Sequence, residues 1–298
     1  MKRTGHRAAR RLPGSLVVVA ISAALVSACD RPAPLTQLVE ARRVASELHV
    51  QFTHAADAAN RAVMADTDDA STAAANEARQ ARQAVERHVE TLRPMLASLG
   101  FRDDLRHLDG FMSDFQAYRT LDDEILSLAV ENSNLKAQRL SFGPAQEAAL
   151  AFRSSVDAAV RSSAAHNRCA AMLIGARASS ALLEVQFMQA PHVAEADDAA
   201  MTRLEGQMTA AALVASNAVD ELGRTLPPAA LPQLDAARAA LSRFLAIHGE
   251  IITLSRRNSN VRSLALSLGR KRMLTAACEE QLQAFDTALS RHAFAATR

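Results

Sequence analysis

Glu124-Ile125-Leu126-Ser127-Leu128-Ala129-Val130-Glu131-Asn132-Ser133-Asn134-Leu135-Lys136-Ala137-Gln138-Arg139-Leu140-Ser141-Phe142-Gly143 returns 126 positions later (250 − 124). The second copy reads Glu250-Ile251-Ile252-Thr253-Leu254-Ser255-Arg256-Arg257-Asn258-Ser259-Asn260-Val261-Arg262-Ser263-Leu264-Ala265-Leu266-Ser267-Leu268-Gly269. The same shift lays Tyr118 on Phe244 and Leu121 on Ile247. Solenoid units repeat every ~20–50 residues, so a spacing this long points to a duplicated small domain. In the first copy Phe111, Tyr118, Ile125, Asn132 and Arg139 recur every seven residues, with Leu121, Leu128, Leu135 and Phe142 between them. The second aligns Phe244, Ile251, Asn258 and Ala265 against Ile247, Leu254, Val261 and Leu268. Alternating steps of three and four over several heptads describe a left-handed helix bundle. Asn132 and Asn258 hold seam positions where an apolar residue is expected. A polar group there needs a partner or costs about 1–3 kcal/mol.

The remainder also reads as helix: no β-branched alternating run stands out, Trp is absent and Tyr occurs once. Helices are expected at 35–65, 71–99, 102–142, 145–190, 193–223, 231–268 and 271–296. Asp66-Thr67-Asp68-Asp69 supplies a turn and a cap, Gly100 a stop, and Gly143-Pro144 a C-terminal Gly followed by a first-turn Pro. Pro191, Gly223 with Pro227-Pro228, and Gly269 close the later helices. The front halves repeat more faintly, Val50-Gln51-Phe52 matching Val185-Gln186-Phe187. The expected architecture is all-α: two tandem antiparallel four-helix bundles, 36–165 and 166–298, joined by a long shared helix. Such a helix stacks the bundles pole to pole and leaves both chain termini near the waist; a kink in it folds them side by side.

Upstream, Lys2, Arg3, Arg7, Arg10 and Arg11 precede an apolar run from Leu16 to Val26 and then Leu25-Val26-Ser27-Ala28-Cys29. A basic head, a short apolar segment and small residues describe an export leader over 1–28. The run is shorter than the ~20 residues of a membrane span. The last five residues resemble a bacterial lipobox, which implies cleavage before Cys29, lipidation of its thiol and a short tether over 29–35. Simple secretion is the alternative. Asp30 after the cysteine resembles the signal that keeps enteric lipoproteins on the periplasmic face of the inner membrane. Without the leader's five cations the balance is 34 − 5 = 29 basic against 32 acidic residues, or −3. That charge, with no basic stripe interleaved with aromatics, argues against a nucleic-acid partner.

Catalytic and metal readings find little. None of the nine His supplies the Glu-x-x-His spacing of a di-iron bundle, and no Cys-x-x-Cys-His haem attachment is present. No cofactor and no metal are expected. Cys169 and Cys278 fall too far apart along the expected helices for a disulfide, and no nucleophile stands beside a base, so no enzyme is expected.

The helix bearing Glu-Ile, Asn-Ser-Asn and Leu-Ser-x-Gly resembles the third helix of the four-helix-bundle sensory modules of methyl-accepting chemotaxis receptors. The match is better at 231–285 than at 102–160. The resemblance implies a periplasmic module that binds a small molecule and signals by helix displacement, and it implies a homodimer. This chain lacks the receptors' second span and signalling hairpin, so the adjusted expectation is an accessory lipoprotein presenting its ligand to an inner-membrane receptor. A structural or adaptor lipoprotein that binds partner helices of another envelope protein is the other class.

Candidate ligand groups follow from helical spacing. Asn132 with Lys136, and Asn258 with Arg262, lie four residues apart on one face and suit a carboxylate. The alternative role of the two asparagines is to fix helix register. Arg270, Lys271 and Arg272 are expected to open the last helix, where free N–H groups and three cations suit a carboxylate or phosphate. Solvation, or contact with anionic lipid headgroups, is the alternative there. This cluster is assigned to the second bundle.

Overall fold

The computed structural model describes residues 34–293. The leader, Cys29 and the end of the last expected helix lie outside them. Every extended element among the described residues is helical: α1 Pro34–Met64, α2 Asp68–Leu99, α3 Arg102–Glu131, α4 Ser133–Leu140 and α5 Gln146–Arg161, then α6 Arg168–Ala194, α7 Asp198–Thr225, α8 Leu231–Arg257, α9 Ser259–Leu266 and α10 Arg272–Arg291. No helix among them is long and apolar enough to cross a membrane.

Several ends carry caps, those at Thr67 and Gly100 as expected. Thr67 accepts a hydrogen bond from the Ala70 N–H at 3.2 Å, and Asp197 one from the Ala200 N–H at 2.7 Å. Gly100 ends α2 in the left-handed region at φ +76°. Others differ from expectation. The segments 102–142 and 231–268 are each interrupted, at Asn132 (φ +51°, ψ +37°) and Asn258 (φ +52°, ψ +35°). Asn is one of the few non-glycine residues that enter the left-handed conformation readily, so one residue redirects the chain without a glycine. Gly143-Pro144 and Gly269, expected to end helices, instead sit within π-turns at Ser141–Ala145 and Ser267–Lys271. The wider turn accommodates a proline ring that would otherwise strike the carbonyl four residues back.

The expected shared helix 145–190 is absent. Ser162 ends α5, and a turn with a short 3-10 segment at Ala165–Asn167 precedes α6. Ser-Ser at 162–163 competes for local backbone bonds, and Ser162 donates its hydroxyl to the Ala158 carbonyl. Gly175 is a packing position: a Cβ there would stand 2.9 Å from Val160 Cγ2. It lets α5 and α6 approach closely.

Packing does not follow chain order. The first bundle is α1, α2, α3 and α10; the second is α5, α6, α7 and α8. Each copy therefore completes three helices and sends its fourth across to the other core. The division at 165/166 does not describe these groups, because repetition identifies copies and not which copy a helix packs against. Arg42 of α1 donates to the carbonyls of Ser290 (3.1 Å) and His292 (2.6 Å), and His292 stacks on Phe101 at the α2–α3 turn. Both described ends thus lie at the outer pole of the first bundle and not at the waist. The cores differ in filling. Phe52, Phe111, Phe115 and Tyr118 pack ring against ring in the first, with centroids 5.3–6.2 Å apart. The second is rich in alanine around Phe152 and Phe244. Phe187, matched to Phe52 by the faint front repeat, is 78% exposed, whereas Phe52 is fully buried.

Glycine at position 132 or 258 should keep the redirected backbone, whereas alanine should add left-handed strain of about 1–2 kcal/mol. Urea unfolding of Asn132→Gly beside Asn132→Ala reads that difference; equal losses would mean the left-handed residue is not a constraint.

Candidate functional site

Where the redirected chains cross, the two copies satisfy one another's backbone. A helix leaves its first N–H groups without intrahelical partners, and α4 and α9 both start in a buried place. Ser133 N–H donates to Ser259 Oγ at 2.9 Å, and Ser259 N–H to Ser133 Oγ at 3.0 Å. Asn134 N–H donates to Asn260 Oδ1 and Asn260 N–H to Asn134 Oδ1, both at 3.1 Å. The amides close the pattern: Asn134 Nδ2 donates to Asn258 Oδ1, and Asn260 Nδ2 to Asn132 Oδ1, each at 2.8 Å. Asn258 Nδ2 donates to the Glu195 carbonyl and Asn134 Nδ2 to that of Val193, tying in the α6–α7 turn. Asn132 is fully buried, and its Nδ2 has no hydrogen-bond partner among the described residues.

The residues read as carboxylate ligands do not converge. Lys136 Nζ donates to the Glu131 carbonyl at 2.8 Å, while Arg262 is exposed. Arg270, Lys271 and Arg272 do not open a helix, since the chain runs helically from Ser259 through the π-turn into α10. The backbone donors expected there are engaged. The cluster also belongs to the first bundle, because α10 packs against α3. Arg270 and Arg272 point outward, and Lys271 points in.

Lys271, 2% exposed, stands 3.0 Å from Asp122, which is fully buried and 3.3 Å from Arg82. Arg82 also holds Asp123 and donates to the Arg119 carbonyl. Neither Asp122 oxygen meets hydrogen-bond geometry, so charge more than aligned bonding holds this nest. Tyr118 lies under it, its ring centroid 5.7 Å from Lys271 Nζ and its hydroxyl without a hydrogen-bond partner among the described residues. Burial raises the Asp122 carboxyl, with Lys271 and then Arg82 working against that shift. Burial lowers the Lys271 ammonium, opposed by Asp122. The repeat has no second nest: the shift of 126 turns Asp122 into His248 and Lys271 into Ala145. In the second bundle the neutral set of Ser141, Gln189 and His248 occupies that depth.

Beside the joint each copy leaves an open groove. The larger, about 460 Å³, runs between α1 and the start of α10, with Asn60, Met64, Leu264, Leu268 and Arg272 on its walls. Its counterpart, about 290 Å³, has Gln138, Ser141, Phe142, Ala190 and Val193. Gln138, Ser141 and Phe142 correspond to Leu264, Ser267 and Leu268 under the same shift. Phe142 and Leu268 are both exposed. Sequence reading took them for inward seam residues. The inward positions are reset upstream of the π-turns: after Asn132 the buried residues include Asn134, Ala137 and Ser141, after Asn258 they include Ser259 and Ser263, and Arg139 and Ala265 already face out.

Ser133→Ala and Ser259→Ala should each cost about 1–3 kcal/mol by orphaning a buried N–H, against little for the exposed Ser127→Ala; urea denaturation measures both. Lys271→Met should cost about 3–5 kcal/mol by leaving Asp122 under-compensated, and Asp122→Asn in the same chain should restore much of it. The raised Asp122 carboxyl binds its proton more tightly folded than unfolded. Stability from this group therefore falls as pH rises between the ordinary and the raised value. Wild type should gain on Asp122→Asn as pH is lowered from about 7 to about 4, the range over which carboxylates titrate.

No protein-family model matches this chain, and no curated protein is significantly similar to it.

Proposed function

We propose that the chain is a helical adaptor of the bacterial envelope, lipid-anchored through Cys29, whose grooves at the joint hold apolar helix faces of a membrane or envelope partner. The supporting observation is the repetition of those grooves: each copy aims a large apolar residue, Phe142 or Leu268, outward beside the joint. The asparagines and serines of the joint next to them are already engaged with each other. A helix laid in such a groove gains chiefly from burying apolar surface, the helix-in-groove mode of recognition. α1 starts at the outer pole of the first bundle, so an anchor a few residues before it leaves the joint and second bundle at a distance.

A sensory accessory for a small carboxylate or phosphate finds less support. It needs donors free to turn to a ligand, whereas the Asn258 amide, Lys136 and Lys271 have intramolecular partners. Arg272 is the one cation of the expected set that lines a groove with no hydrogen bond or ion pair among the described residues.

A photocrosslinking amino acid at Phe142 or Leu268 of the full chain in cells should yield a discrete adduct with an envelope protein. The exposed Arg106 position should give none, and Phe142→Asp with Leu268→Asp should abolish association with that partner. A carboxylate or phosphate compound that raises the Tm, with the rise lost in Arg272→Ala and no adduct at either groove, would overturn this reading in favour of sensing.

A further inference from the structure

The outward face of α6 has no charge along its centre. Leu173, Ala176, Ser180, Leu183 and Phe187 follow steps of 3, 4, 3 and 4, continued to Ala190 and Ala194 and preceded by Cys169. Leu173 and Phe187 are 74% and 78% exposed. This is a second heptad seam on a helix whose other face already fills the second core, and such a seam is the requirement for one more helix.

The counterpart helix shows that this is not a general property of the fold. The buried positions of α1 fall on those of α6 after a shift of 133 (171 − 38), Leu38 on Ala171, Ala45 on Ala178 and Phe52 on Val185. The same shift places Glu40, Arg43, Glu47, His54, Asp57 and Arg61 where α6 has Leu173, Ala176, Ser180, Phe187, Ala190 and Ala194. One copy therefore presents a solvated, mostly charged face whose one apolar member is Val50 at the place of Leu183, and the other an apolar seam in the same place.

We infer that α6 pairs antiparallel with α6 of a second copy of this chain. The inference is independent of the adaptor reading and rests on self-complementarity. In an antiparallel seam each a position meets a d position. Here Leu173 meets Ala190, Phe187 meets Ala176, Leu183 meets Ser180 and Ala194 meets Cys169, so each layer sets a larger residue against a small one. Arg177 of each chain then lies across from Glu184 of the other. Glu184 has no ion pair among the described residues, and Arg177 otherwise holds Glu221 of its own α7. A parallel pair stacks Phe187 on Phe187 and Ser180 on Ser180 and leaves Arg177 and Glu184 unmatched, so it fits worse on packing and on charge. The two joints then lie at opposite ends of the shared α6 pair.

Detergent-solubilised full chain carrying Cys29→Ser, which removes the leader-proximal thiol, provides the test; Cys278 is buried. Light scattering should give the mass of a dimer, and Leu183→Glu with Phe187→Glu a monomer with unchanged helical circular dichroism. Adding Ala194→Cys should produce a covalent dimer on mild oxidation through Cys169 and the new thiol, lost again in Cys169→Ser. Efficient crosslinking through Cys169 alone, without the new cysteine, would mean parallel pairing and overturn the arrangement. A monomer at all concentrations up to about 100 μM, an ordinary range for weak self-association, would overturn the pairing itself.

Discussion

Two short helices begin in the middle of this protein, where water cannot reach their first N–H groups, and each is capped by side chains from the other copy. The rest of the architecture depends on that exchange. A left-handed residue within a helix normally marks an end, and a buried helix start without acceptors costs about 1–3 kcal/mol for each orphaned donor. Asn132 and Asn258 create both difficulties, and Ser133, Asn134, Ser259 and Asn260 resolve them across the crossing. Because the acceptors are short side chains at fixed spacing, the two chains can cross in one register only. The exchange of fourth helices, the placement of α10 in the first core and the position of both described ends follow from it.

The Asn-Ser-Asn motif was visible in the sequence, and so was the need to satisfy two buried amides. Its role as a chain redirector was not. A heptad pattern reports which residues face inward on an unbroken helix, and Asn132 both ends that helix and shifts the phase, so that Ala137 and Ser141 turn inward where Leu135, Arg139 and Phe142 were expected. The sign that it breaks the helix was the residue type itself, since Asn tolerates positive φ. The π-turns were similarly hidden: Gly143-Pro144 reads as a stop, and only the surrounding bundle makes a widened turn preferable to an end. Lys271 looked like one of three surface cations because Arg270 and Arg272 flank it. Lys271, the last residue of the widened turn, is the one of the three that turns inward to Asp122, a carboxylate 149 positions earlier in the chain (271 − 122). No local pattern encodes that meeting.

The copies have diverged in chemistry while keeping one backbone. The first core combines stacked aromatic rings with a buried ion nest, and the second combines alanine with the Ser141–Gln189–His248 contacts and a half-buried Glu205–Arg256 pair that holds His192. Outside the cores, α1 is charged where α6 is apolar. Charge is divided the same way: over 34–131 with 259–293 there are 20 acidic and 15 basic residues, and over 132–258 there are 11 and 12. The first bundle is thus near −5 and the second near +1.

The bonds at the crossing have a further implication for the protein's ancestry. Position 133 meets 259 and 259 meets 133; 134 meets 260 and 260 meets 134. Reciprocal contacts between equivalent positions are the mark of an isologous interface, the kind that a two-fold axis generates between identical subunits. Each half thus carries every donor and acceptor needed to pair with another of its kind, the arrangement expected where one half is duplicated within a single chain.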